Sequence, residues 1–179
     1  MLDAAIEEFQ RAGTGSADIN AIVEAAGVSR STFYFHFPTK EHVLLELIRL
    51  DEDHLAEEFS RFLDSPHDLP AVLDTLVRLI LALEKQWGAG LFRDVTSMLF
   101  SSSRPDEQWT RHPTFVLLAA EIERARHRGE LYSDVNAYHS AAFFLTGLYA
   151  LLSTNREFGP ERDEVLDAFV RSTLRSLLK

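Results

Sequence analysis

The sequence has no cysteine. That excludes a disulfide framework, a thiolate zinc site, an iron–sulfur cluster and a cysteine nucleophile. Backbone breakers are few: eight glycines and six prolines in 179 residues, falling between periodic segments. No apolar run reaches the length of about 18 residues that a bilayer requires. The longest, Ala141–Leu152, contains Thr146 and Gly147. No basic, then apolar, then small-residue signal opens the chain. The reading is a soluble, cytoplasmic protein with no membrane partner. Positive charge is also scarce: 18 Lys and Arg stand against 28 Asp and Glu, a net of −10. Taken alone this argues against a nucleic-acid binder, because phosphate contacts need cations. The size fits one domain, or one small module fused to a larger one.

What is present is helical periodicity. Hydrophobic residues make up 46% of the chain and charged ones 26%, enough apolar surface for a packed core. Leu2, Ala5, Ile6 and Phe9 repeat at helical spacing, and Gly13 and Gly15 end that segment. Ile19, Ile22, Val23 and Ala26 repeat it, with Ser16 or Asp18 as N-cap and Gly27 as the stop. Ser29 caps a third helix that Pro38 breaks. Thr39 caps a fourth, from Lys40 to about Leu63. Further helices are expected from Asp68 to Trp87, Leu91 to Phe100, Thr114 to His127, and Asp134 to about Asn155. Ser101–Pro113 reads as a loop, and Gly159-Pro160 as the start of a last helix. The expectation is an all-α fold of about nine helices with no strand. An N-terminal helix-turn-helix module would span 1–48 and a C-terminal helical bundle 49–179.

Ala25-Ala26-Gly27-Val28-Ser29 joins the second and third helices. This is the tight, glycine-containing turn of two steeply crossing helices. Val28 would plug a small core of Ile6, Phe9, Ile22 and Phe33. The third helix would present Arg30, Ser31, Thr32, Tyr34, Phe35 and His36 outward, and such a helix fits a DNA major groove.

The stretch from Met1 to Ile48 resembles the DNA-binding domain of the TetR family of bacterial transcriptional regulators. The resemblance rests on Leu2-Asp3-Ala4-Ala5, Phe9, Gly13, Ile22, Ala25-Ala26-Gly27-Val28-Ser29, Thr32-Phe33-Tyr34 and His36-Phe37-Pro38-Thr39-Lys40-Glu41. It covers the first quarter of the chain; the rest is similar only in plan. Arg128-Gly129-Glu130-Leu131 followed by Asp134 looks like the family's entry to its penultimate helix. The resemblance implies that Ser29, Arg30, Ser31 and Thr32 meet base edges and nearby phosphates, with Arg30 suited to guanine O6 and N7. It implies phosphate contacts at Tyr34, His36 and Lys40. Phe35 would meet a thymine methyl or a sugar, and Asn20 the backbone or a base.

Three departures bear on this. The chain begins at the first helix, where family members carry a basic extension. Residues 1–48 hold three cations, Arg11, Arg30 and Lys40, against seven carboxylates, a net of −4. Asp18 stands where Ser or Thr is common, and an acid there repels phosphate. The expectation is weak, salt-sensitive non-specific binding, and either a natural protein that continues upstream of Met1 or an operator read by few contacts.

The larger part concentrates bulky side chains, including Trp109, on several helices. Trp87, Phe92, Thr96, Met98, Phe115, His139, Phe143 and Phe144 are the candidate effector pocket, by analogy with the family. Arg93, Glu121 and Thr146 are further polar candidates there. Ala141, Leu145, Leu148, Leu152, Leu166, Phe169 and Val170 are the candidate dimer interface, with an intrachain helix pair as the alternative.

Catalysis is not expected. No nucleophile elbow, phosphate-binding loop or H-E-x-x-H occurs. Asp51-Glu52-Asp53-His54 has an acid three before a histidine, but di-iron sites need that motif twice. Asp51–Glu58 reads instead as a solvated acidic face. No cofactor or metal is expected. The combined expectation is a ligand-responsive transcriptional repressor. As a homodimer it would bind a near-palindromic double-stranded operator, and a small, largely apolar effector would release it. The alternative is a small-molecule-binding or interaction protein with a degenerate DNA-binding module.

Overall fold

A computed structural model describes residues 1–100, 112–154 and 161–179. Trp109, most of the loop at 101–113, and Gly159-Pro160 lie outside the described residues. Among the described residues there are nine helices. They are α1 (Leu2–Ala12), α2 (Ile19–Ala26), α3 (Arg30–His36), α4 (Lys40–Leu63), α5 (Leu69–Trp87), α6 (Ala89–Leu99), α7 (Pro113–His127), α8 (Ala137–Ser153) and α9 (Arg162–Leu177). The all-α fold expected from periodicity is the one observed. In place of a strand, the described residues hold a single antiparallel bridge between Leu131 and Leu178. None of these helices is long and apolar enough to cross a membrane.

The helix ends follow local chemistry. The α2 N-cap is Asp18, whose carboxylate accepts from the Asn20 N–H at 2.8 Å. Asp68 does the same for α5, accepting from the Ala71 N–H at 2.9 Å. Several expected starts shift. The helix after Gly88 begins at Ala89 rather than Leu91. The cap of α8 is Asn136 rather than Asp134, its side chain accepting from the His139 N–H at 2.9 Å. Asp, Asn and Ser compete equally well for this role, so a cluster of them does not show which one takes it.

The chain divides into two compact units: 1–51 with 83–103, and 52–82 with 104–179. In the first, α1 packs on α2 and α6, and α2 on α3. Phe9, Ile22, Phe33 and Val43 are fully buried there, as are Phe92 and Val95. The α1 residue Gln10 donates its amide to the last carbonyls of α5, at Gln86 and Trp87, both at 3.1 Å. The Trp87 indole N–H donates to the Asp51 carboxylate at 2.7 Å.

In the second unit α8 packs against both α7 and α9. Gly147 is what allows the closeness of α8 and α9: a Cβ there would lie 2.8 Å from the Phe169 ring. The acidic run at 51–58 is only partly solvated. Asp51 takes the Trp87 indole, and Glu52 meets the His112 ring.

The connector between α4 and α5 is held to α7 by His67. Its Nε2 lies 3.1 Å from the buried Glu121 carboxylate and its Nδ1 lies 2.6 Å from the Ser65 carbonyl. Both partners are acceptors, so both ring nitrogens must carry protons. Burial opposes that charge, but Glu121 and the Ser65 carbonyl outweigh it and the His67 pKa is raised. A raised folded-state pKa stabilises the fold below the unfolded value of about 6.5, and the contribution is lost as pH rises through the folded value. His112 has the opposite sign, because burial pushes its pKa down. The difference between the wild type and His67→Gln isolates the first effect. Chemical denaturation across pH 5.5–8.5 is expected to show that difference large at the acid end and shrinking toward pH 8.5. A difference constant with pH would refute the charged pairing.

Candidate nucleic-acid interface

The interface is built from α2, the turn and α3. Gly27 adopts the left-handed conformation at φ 65°, which lets its N–H bond the Glu24 carbonyl and the Val28 N–H bond the Val23 carbonyl at 3.0 Å. A side chain is strained at that φ. The Ser29 hydroxyl accepts from the Thr32 N–H at 3.1 Å and lies 2.9 Å from the Thr32 hydroxyl. Ser29 and Thr32 therefore close the turn with the same oxygens that would meet DNA. Phe33 anchors the helix from beneath, fully buried and in ring contact with Tyr34 and Phe37.

Above that anchor the helix is open. Arg30, Ser31, Thr32 and His36 are exposed, Tyr34 is 43% exposed and Phe35 is 84% exposed. Phe35 packs edge-on against the neighbouring His36 ring. Asn20 projects from α2 to the same place, its Oδ1 accepting from Arg30 Nη1 at 3.2 Å. The Arg30 guanidinium lies over the Tyr34 ring at 5.9 Å. Eight of the nine expected DNA-facing residues are thus exposed: Asn20, Ser29, Arg30, Ser31, Thr32, Tyr34, Phe35 and His36.

Lys40 differs. It is half-buried, and its ammonium donates to the Thr14 and Gly15 carbonyls at 3.2 and 3.3 Å. The α1–α2 loop is held from the other side by Asp94 of α6, which accepts from the Thr14 N–H at 3.2 Å. Glu8, buried on α1, accepts from the Asp18 N–H at 3.0 Å and from Arg11. These two contacts hold its carboxyl below the usual range. Neither Glu8 nor Asp94 was legible as a supporting residue, since each acts on a backbone group distant in sequence.

Residues 1–47 match the model of bacterial regulatory proteins of the tetR family. That N-terminal segment is similar to the DNA-binding domain of the family. Relatives extend the likeness beyond that segment. The HTH-type transcriptional regulator UidR of Escherichia coli (strain K12) is 25% identical over 162 residues, 86% of this chain and 78% of that protein. AcrR of Shigella flexneri is 35% identical over 57 residues, 32% of this chain and 26% of that one. Among solved structures, the transcriptional regulator FadR from Bacillus subtilis in complex with stearoyl-CoA aligns with a TM-score of 0.75 at 15% identity, covering 98% of this chain and 96% of that one. The ketosteroid transcriptional regulator KstR2 of Mycobacterium tuberculosis aligns at 0.66 with 19% identity, covering 99% and 93%. At these identities the two structures establish the fold that this chain shares with them. The curated relatives matched over most of this chain's length are themselves transcriptional regulators.

The candidate pocket residues separate into several settings. In the first unit Trp87, Phe92 and Thr96 are buried together and Met98 is half-buried. The Trp87 and Phe92 rings lie 6.0 Å apart, and the Thr96 hydroxyl donates to the Phe92 carbonyl at 2.7 Å. In the second unit Phe115 is buried against Tyr138. His139 and Phe143 are in ring contact on an exposed face of α8, with Phe143 74% exposed. Phe144, one residue on, is buried and stacked on Phe169 of α9. Of the further polar candidates, Arg93 and Thr146 are exposed and Glu121 is held by His67 and Arg124.

The expected dimer stripe lies as follows. Ala141, Leu145, Leu148, Leu152, Leu166 and Val170 are buried within one chain, and Phe169 is half-buried between Gly147 and Phe144. Periodicity marks an apolar face but not which element covers it. Within this chain the cover is intramolecular, from α8 and α9 on each other.

Proposed function

We propose that this TetR-family regulator is a ligand-responsive repressor acting in the cytoplasm, with 1–48 as its DNA-binding domain and the remainder, 49–179, for ligand and partner. Two copies bind a near-palindromic double-stranded operator, each laying α3 in the major groove. The observation that carries this reading is the exposed Arg30–Tyr34–Phe35 face on a turn fixed by Gly27 and Ser29. Arg30 suits guanine, and Phe35 a thymine methyl or sugar. Ser29, Ser31 and Thr32 lie beside them, and Tyr34 and His36 fix register on phosphates. Lys40 reaches a phosphate only by leaving the Thr14 and Gly15 carbonyls. Selection from a random-sequence duplex pool is expected to recover two inverted half-sites spaced about one helical turn, ~34 Å, apart. Recovery of no common sequence would overturn the reading.

The second copy docks on the outer face of α8. His139, Phe143, Thr146 and Ala150 are exposed at helical spacing, and a large apolar ring left open on that face favours a partner. Phe143→Glu is expected to convert a dimer to a monomer in sedimentation at micromolar concentration and to lower operator affinity at least tenfold, without loss of helical content. Sedimentation unchanged by the variant would move the interface elsewhere.

The effector is a small, largely apolar molecule. The fold neighbours FadR, solved with stearoyl-CoA, whose acyl chain is apolar, and the ketosteroid regulator KstR2 support an apolar component in the effector. Stearoyl-CoA and a ketosteroid are the first probes, read by release of labelled operator. Coupling between effector and DNA is reciprocal and worth about 5–150-fold in such systems.

The net charge of −4 over 1–48 and the inward engagement of Lys40 favour a second reading, a ligand-binding or interaction protein with a degenerate DNA module. A salt titration separates the two. The repressor reading predicts that binding to the selected duplex survives salt that removes binding to a scrambled one.

A further inference from the structure

Arg30 and Asn20 both face outward, yet they do not act alike. Arg30 is a long, exposed side chain at the start of α3, and a solvated arginine samples many rotamers. A guanine reader must instead hold two N–H groups in the plane of the base edge. Two contacts restrict Arg30. Its Nη1 donates to the Asn20 amide oxygen at 3.2 Å, and its guanidinium rests over the Tyr34 ring at 5.9 Å. Guanidinium is donor-only, so the amide must turn its oxygen toward it. Asn20 in turn sits in the first turn of α2, where its backbone N–H is held by the Asp18 carboxylate. The cap of α2, the amide and the guanidinium thus form one chain of contacts running from α2 to α3.

The geometry points to Asn20 as a positioning residue: it aims Arg30 at guanine and does not itself read a base. An asparagine that reads adenine needs both its oxygen and its amide nitrogen for N6 and N7. Here the oxygen is committed to Arg30. The bond to Asn20 takes one of five N–H donors of the guanidinium. Donors remain for O6 and N7. This inference rests on the reading of Arg30 as a guanine contact and adds what makes that contact selective.

The test uses the full chain and an operator recovered by selection. Each half-site guanine is replaced in turn by 7-deazaguanine, which keeps O6 but lacks the N7 acceptor. For the wild type, one position per half-site is expected to show an affinity loss of about tenfold. In Arg30→Ala that loss disappears. In Asn20→Ala the loss at the same position shrinks to under about threefold, with unchanged penalties elsewhere and an unchanged melting temperature. Asn20→Asp keeps an acceptor for Arg30, so it retains the 7-deazaguanine penalty while total affinity falls by charge repulsion. An Asn20→Ala variant that keeps the full penalty, or that loses discrimination at an adenine, would overturn the proposal while leaving Arg30 as the guanine contact. An Arg30→Ala variant that keeps the penalty would remove the guanine reading itself, and the proposal with it.

Discussion

Phe33→Ala is expected to lower the stability of the first unit by about 3–5 kcal/mol, the cost of emptying a fully enclosed aromatic site. Phe33 is completely buried, and its ring touches those of Tyr34 and Phe37. The α3 helix is only seven residues long. A helix that short is not stable in isolation, so its stability comes from the face it buries. The loss is large against a total stability of about 5–15 kcal/mol for a typical domain. Operator binding is expected to fall by at least a hundredfold at 37 °C, in parallel with the fraction unfolded seen by circular dichroism. Phe33→Leu, which refills most of the volume, should recover most of both. Binding that survives Phe33→Ala intact would mean that α3 does not carry the contact.

Trp87→Ala is expected to cost a similar ~3–5 kcal/mol, whether or not an effector is bound. Trp87 is buried, packs on Phe92 and donates its indole N–H to Asp51 at 2.7 Å. Trp87→Phe separates the two contributions. It keeps an aromatic ring and removes the donor from a carboxylate, for a cost of about 1–3 kcal/mol. Urea denaturation of the three proteins gives both differences. The sequence reading placed Trp87 in the effector pocket. If Trp87→Ala left stability unchanged and altered only ligand response, the pocket role would stand over the packing one.

These two residues show what one sequence makes legible. The role of Phe33 follows from local spacing: it stands four residues after Ser29, which caps the helix, and the Gly27 turn fixes the preceding segment. Such information lies within a few residues, and the structure agrees with it. The ends of α2, α3 and α4 follow the same rule. The role of Trp87 depends on Asp51, 36 positions away, and that of Lys40 on carbonyls 25 and 26 positions away. No periodicity encodes those pairings. The α8 stripe is ambiguous for a related reason. Leu145 and Leu148 are apolar because something covers them, and an intrachain cover leaves the same pattern as a second copy. Phe143 is an exposed aromatic out of phase with that stripe, and the proposed partner face rests on it.

The central claim is that the exposed face of α3 reads a specific sequence in two copies. Fluorescence anisotropy tests it most directly, comparing the selected duplex with a scrambled one of equal length at physiological salt. The account predicts two protomers per duplex and an affinity ratio of about a thousandfold or more. Equal affinity for both duplexes would contradict it, as would a single protomer bound at saturation.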